Sequence, residues 1–129
     1  NYIDQKNLNE NIKIINFKKN PFPLLKSADL FILSSKYEGL PNVLLEALVL
    51  KKPIISSNCP TGPREILEGG KYGLLFKNDN KSDLQNKIIE FSNNKKKYYK
   101  KVLKSKKSLN KFKYSTNLSK YKFLINKLI

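Results

Sequence analysis

The 129-residue chain has no histidine, no tryptophan and no methionine, and Cys59 is its single cysteine. One cysteine excludes an internal disulfide and suits a reducing cytosol. With one Cys and no His, the chain cannot build a His- or Cys-rich zinc site. No Asp-x-Asp sequence occurs, so a carboxylate-held metal is not indicated. No apolar run approaches the ~20 residues that cross a bilayer as a helix. No signal-peptide pattern opens the chain. Gly69-Gly70-Lys71 lacks the upstream glycine of a phosphate-binding P-loop, and Tyr72 stands where Ser or Thr is required.

Arginine is nearly missing as well: Arg64 is the sole Arg among 26 basic residues, in a chain of formal charge +16. Nucleic-acid readers favour Arg for bidentate contacts to bases and phosphates, so the charge alone is a weak argument for nucleic acid. The abundance of Lys, Asn and Ile reflects an AT-rich coding sequence as readily as selection for charge. The charge is also uneven. Residues 91–129 hold thirteen Lys and no acid, whereas all ten acids lie before residue 91. Such a tail suits an anionic bilayer, each Lys near the surface contributing about 1 kcal/mol, and equally suits a solvated helical face.

What the chain does have is an alternation of strand-like and helix-like segments. Residues 12–17 (IKIINF) read as a strand and 21–27 as a short helix after an Asn-Pro turn. LFILS (30–34) reads as a strand buried on both faces, followed by a helix from Val43, a strand PIIS and a short helix at 64–68. Gly69-Gly70 ends that helix, GLLF is a fourth strand, and 79–83 introduces a helix to about residue 92. Beyond Asn94 the apolar spacing is helical, and its Tyr and Phe residues read as packing. Strands alternating with helices predict an α/β fold, a Rossmann-like doubly wound parallel sheet over 1–93, followed by C-terminal helices over 94–129 packed on it.

Residues 37–50, YEGLPNVLLEALVL, concentrate the chemistry. Glu38 and Glu46 stand eight positions apart across a loop–helix junction. From Val43 to Leu50 every residue but Glu46 is apolar, which predicts an interior helix carrying a costly lone carboxylate. No Lys or Arg lies within a helical turn of Glu46 in the sequence, so a ligand rich in hydroxyls is the expected partner. Ligands of open α/β sheets bind at the carboxyl ends of the strands, where the N–H groups of Asn42, Val43 and Leu44 would face a phosphate. Glu46, leaning back towards the helix start, would meet a ribose diol beside it. Glu38 would address hydroxyls beyond the phosphates. Phosphate between two sugars describes a nucleotide-sugar.

The same residues carry a family resemblance. E-G-L-P-N-V-L-L-E resembles the Glu-x7-Glu signature of the group 1 (family four) retaining glycosyltransferases, which have two Rossmann-like lobes in the GT-B fold. NFKKNP (16–21) resembles the family's GF-x-x-NP loop, with Asn16 where Gly is usual. ADLFILSS (28–35), KPIISS (52–57), CPTGPREIL (59–67) and GLLF (73–76) are similar to family segments in order and spacing. The resemblance covers residues 12–93 well and the remainder loosely.

The resemblance implies that Glu46 binds the nucleotide ribose and that Glu38 serves as the catalytic-site carboxylate on the donor sugar's hydroxyls. The segment Gly39, Leu40, Pro41, Asn42, Val43, Leu44 would hold the diphosphate. Asn16, Gly62 and Arg64, with Glu65, would shape the crevice or simply form a turn and a helix start. The implied function is transfer of a hexosyl or N-acetylhexosaminyl group from a nucleotide-sugar donor, UDP-linked, to a glycan or lipid-linked acceptor. No cofactor and no metal are implied, nor is a nucleic-acid partner. The implied location is cytoplasmic, peripheral at an anionic membrane surface. Enzymes of this kind are longer, and a chain that opens on Asn1 without any Met reads as part of a C-terminal donor-binding lobe. A non-catalytic basic module for membrane or nucleic acid, or a remnant that still folds, are the competing readings.

Overall fold

The computed structural model describes residues 2–128, with the backbone alone at Leu128. A short helix α1 (Tyr2–Gln5) precedes an irregular stretch, then α2 (Phe22–Ser27), β1 (Phe31–Leu33), α3 (Asn42–Val49) and β2 (Ile54–Ser57). Next come α4 (Pro63–Ile66), a 3-10 turn (Glu68–Gly70) and β3 (Leu74–Phe76). The helices α5 (Lys81–Asn93), α6 (Lys95–Leu103), α7 (Lys106–Asn110) and α8 (Tyr114–Leu128) complete the described chain. The strands pair in parallel in the order β1-β2-β3, with Ile32 opposite Ile55 and Ile55 opposite Leu74.

The sheet divides the core in two because successive strand residues face opposite ways. Ile54 joins Leu25, Leu44, Leu48, Ile66 and Val102 on one side. Ile55 joins Leu74, Phe76, Phe91 and Tyr98 on the other. Helices therefore cover both faces, which is the doubly wound arrangement that the strand–helix alternation predicts. Leu44 and Leu48 are essentially inaccessible, and each such burial contributes about 1.5–3 kcal/mol.

Local chemistry fixes the ends. Asn80 caps α5, its side chain accepting the Asp83 N–H at 2.8 Å. Gly69, at φ +67, turns the chain after α4 in the left-handed region that glycine adopts freely. The C-terminal helices α6 and α7 complete the cores. Val102 enters the first, Tyr98 the second, and buried Ser108 donates its hydroxyl to the Ile66 carbonyl at 3.1 Å. That carbonyl ends α4 and would otherwise lack a partner. By contrast α8 leaves Tyr121, Phe123, Leu124 and Ile125 more than half exposed.

Three expectations need correction. The LFILS strand is not buried on both faces: β1 lies at the edge of the described sheet, Phe31 and Leu33 are half-buried, and Ile32 on the other face is 38 % exposed. Residues 12–17 are not a strand: the segment is irregular and exposed, with Ile14 at 69 % and Phe17 at 93 %. A strand exists only through a ladder, and IKIINF pairs with no strand edge among the described residues. Helix α3 is also less interior than its composition suggests. Leu44, Ala47 and Leu48 are buried against the sheet side, while Val49 is 62 % exposed and Glu46 half-buried. One flank of the helix is open.

The second core is closed by a polar contact, the Tyr98 hydroxyl donating to Glu90 Oε1. Burial pushes the Tyr98 phenol up to about 12, with the Glu90 carboxylate adding to the shift. The same hydrogen bond, assisted by Lys87, holds the Glu90 carboxyl below its ordinary value. A lowered carboxyl stabilises the fold above its unfolded value and loses that contribution as pH falls through its folded value. Tyr98→Phe should therefore lower stability by about 0.5–1.5 kcal/mol at pH 7. The gap to wild type should shrink at pH 3. Urea unfolding of both proteins at the two pH values measures this, and a gap that does not change with pH would contradict it.

Candidate functional site

Three loops follow the C-terminal ends of the parallel strands: 34–41 after β1, 58–62 after β2 and 77–80 after β3. The first carries Glu38 and leads into α3. It has no regular backbone pairing of its own, and its shape is set by donors from the other two loops and the end of β2. Ser57 Oγ donates to the Ser35 carbonyl at 2.6 Å, and Asn78 Nδ2 to the Lys36 carbonyl at 2.8 Å. Thr61 Oγ1 donates to the Glu38 carbonyl. Lys36 also pairs with Asp79 at 2.9 Å, and the Asp79 carboxylate raises the Lys36 amine above its ordinary value. That pair is exposed and contributes little.

At the start of α3, buried Pro41 sets an extended backbone (φ −71, ψ 98) and its carbonyl accepts the Leu44 N–H at 3.0 Å. Of the three N–H groups expected to face a phosphate, that of Leu44 is thus already engaged. Those of Asn42 and Val43 have no backbone acceptor among the described residues. The helix macrodipole makes this end electropositive.

Glu46 stands one turn further on, at the open flank of α3. Its side chain forms no hydrogen bond or ion pair among the described residues. It lines a cavity of about 510 Å³ with Phe22, Asn42, Leu45 and Val49, and a second of about 290 Å³ with Leu24, Phe31 and Val43. Both walls are apolar apart from Glu46 and Asn42. Glu46 is the one charged acceptor on these walls, with the Asn42 amide beside it in the larger.

The remaining expected site residues divide. Glu38 is half-buried, whereas Gly39 and Leu40 are exposed on the same loop. Gly62 is brought against that loop: a Cβ there would stand 2.1 Å from the Gly39 carbonyl oxygen and 2.6 Å from Pro41 Cδ. Its φ of +84 adds a second reason for glycine. Arg64 and Glu65 are exposed and share with Thr61 and Gly62 a separate hollow of about 420 Å³. Asn16 is exposed on the irregular stretch before α2. Sequence reasoning missed Thr61 and Phe22. Thr61 lies inside the CPTGPREIL segment, but a bond spanning 23 residues leaves no local spacing signal.

Comparison with known proteins gives this geometry its relatives. The family model for glycosyl transferases group 1 matches residues 1–116. A glycosyltransferase of Methanocaldococcus jannaschii is 44 % identical over 88 residues, 58 % of this chain and 22 % of that protein. The Staphylococcus aureus poly(ribitol-phosphate) alpha-N-acetylglucosaminyltransferase is 32 % identical over 92 residues, 71 % of this chain and 19 % of the relative. A crystal structure of a mutant S. aureus TarM with fondaparinux, alpha-GlcNAc-glycerol and UDP superimposes with a TM-score of 0.80 at 30 % identity. The superposition covers 95 % of this chain and 24 % of that one. The chain thus spans about a fifth of the length of these relatives. It belongs to the glycosyl transferases group 1 family, with the parallel α/β architecture of GT-B enzymes.

Proposed function

We propose that this chain is the donor-binding part of a retaining glycosyltransferase. It moves a hexosyl or N-acetylhexosaminyl group from a UDP-linked sugar to a glycan or lipid-linked acceptor. The observation that carries the reading is the unpartnered carboxylate of Glu46 beside the electropositive start of α3. There it accepts hydrogen bonds from the ribose diol, while the Asn42 and Val43 N–H groups meet the diphosphate. Glu38 addresses the donor sugar's hydroxyls. The enzyme orients the donor and stabilises the departing diphosphate; neither a protein nucleophile nor a metal has a role in this reading. The names of relatives support the acceptor class. One of them is a Campylobacter jejuni N-acetylgalactosaminyltransferase acting on a diphospho-undecaprenol-linked sugar, 27 % identical over 92 % of this chain and 33 % of its own length.

Glu46→Gln in the intact enzyme keeps the size and removes the charge. A hydrogen bond to a charged group contributes about 1.5–3 kcal/mol, so UDP affinity should fall at least about tenfold by calorimetry. Unchanged affinity in a folded variant would refute the role. Glu38→Gln should lower turnover and leave UDP binding near normal; an equal collapse of UDP binding would contradict this division of labour. Excess duplex DNA should leave UDP affinity unaltered, and tight DNA binding without a Glu46-dependent UDP site would favour the basic-module reading.

A peripheral position at the cytoplasmic face of an anionic membrane is supported by α8. Tyr114, Leu118, Tyr121 and Ile125 recur at helical spacing on one face, with Lys122 at its flank, Lys120 and Lys127 on the opposite side of the helix, and no acid after Glu90. No described helix is long and apolar enough to cross a membrane, so contact would be interfacial. The full chain should bind phosphatidylglycerol-containing vesicles over pure phosphatidylcholine, less so at high salt. At about 1 kcal/mol per lysine, Gln at positions 120, 122 and 127 together should weaken sedimentation with vesicles at least about tenfold. Failure to bind would refute the membrane reading.

A further inference from the structure

The loop that carries Glu38 is held almost entirely by side chains from elsewhere in the fold. Its stem is fixed twice, at the Ser35 carbonyl by Ser57 and at the Lys36 carbonyl by Asn78. Neither of those bonds reaches the turn itself. The contact at the turn is the Thr61 hydroxyl on the carbonyl of Glu38. Next to it the bare Cα of Gly62 lies against Gly39 and Pro41, so close that any side chain would displace the turn.

We propose that Thr61 is a positioning residue for Glu38. Its hydroxyl and the adjacent Gly62 lock the 38–41 turn so that the Glu38 carboxylate is held towards the donor sugar. The proposal rests on the role given to Glu38 above. Thr61 is exposed, so the Glu38 carbonyl released by its removal finds water, and the fold loses little. What is lost is orientation: a carboxylate on a freed turn samples many directions, and small misplacements near a reacting group are costly in rate. The ribose end of the site, at Glu46 on α3, is not touched by Thr61 and should not respond.

The test is Thr61→Val, which keeps the shape and deletes the donor, with Thr61→Ser as the variant that restores it. Turnover is read in the intact enzyme as UDP release from UDP-N-acetylglucosamine, UDP-N-acetylgalactosamine or UDP-galactose, whichever the wild type hydrolyses. Thr61→Val should lower kcat about tenfold while the Kd for UDP stays within about twofold, and Thr61→Ser should recover most of the loss. Backbone 15N order parameters at residues 38–40 should fall in Thr61→Val and not elsewhere in the sheet. Unchanged kcat, a parallel loss of UDP affinity, or unchanged order parameters at the turn would each overturn the proposal. A wild type that neither binds UDP nor hydrolyses any donor would sink the glycosyltransferase reading instead. The relaxation measurement would then still decide whether Thr61 holds the turn.

Discussion

The three described strands run in one direction, and the site is a consequence of that. A parallel ladder puts the carboxyl ends of β1, β2 and β3 on a single edge, so the loops leaving them must meet there. The central strand makes the ladder hold. Ile54 and Ile55 fill opposite cores, and the four residues of β2 are all buried, so a slip by one residue would swap the faces of its side chains and misfill both cores. Everything at the edge is therefore referenced to β2. Ser57, its last residue, reaches across to the Ser35 carbonyl, and Thr61 four residues on reaches the Glu38 carbonyl.

Much of this was legible because the strands are short apolar runs bounded by turns. LFILS and PIIS announce themselves, and Asn80 with Asp83 announces the start of α5. The run 12–17 has the same strand-like composition and does not form one, because propensity supplies no hydrogen-bond partner. Composition also misjudged α3: an apolar sequence says that a helix has somewhere to bury itself, not how many sides are covered. The placement of Glu46 near the helix start follows from helix geometry and could be anticipated from spacing. The Thr61 and Asn78 contacts could not, since they span 23 and 42 residues and depend on how the loops fold over the sheet edge.

The open flank of α3 shows where stability has been given up. Leu44, Ala47 and Leu48 pack with no accessible surface to speak of, and a leucine at 46 would extend an already apolar wall. A half-buried carboxylate there has no described partner and adds nothing to the apolar packing, an arrangement that folding alone does not favour. Such exceptions to an otherwise consistent pattern concentrate at sites where a ligand supplies the missing interaction. Gly62 argues in the same sense. A positive φ pressed against the Gly39 carbonyl gains nothing in the core, and its effect is to let two loops approach.

The lysines are not one surface with one purpose. Lys52 donates to the Ala28 carbonyl and Lys101 to the Gly70 carbonyl, both partly buried contacts that satisfy loose ends of the backbone. Lys71 and Lys111 converge on Glu68, whose carboxyl they hold below its ordinary value, Lys111 most strongly. These are structural uses of charge and would persist in a protein of any function. On α8 the situation differs. Lys127 lies over the Phe123 ring at 4.7 Å, and Lys120 and Lys122 have no acidic partner among the described residues. Exposed aromatic and aliphatic side chains accompany them. The +16 net charge therefore mixes structural lysines with free ones, and more of the exposed lysines without an acidic partner among the described residues lie between Lys95 and Lys113 than on α8.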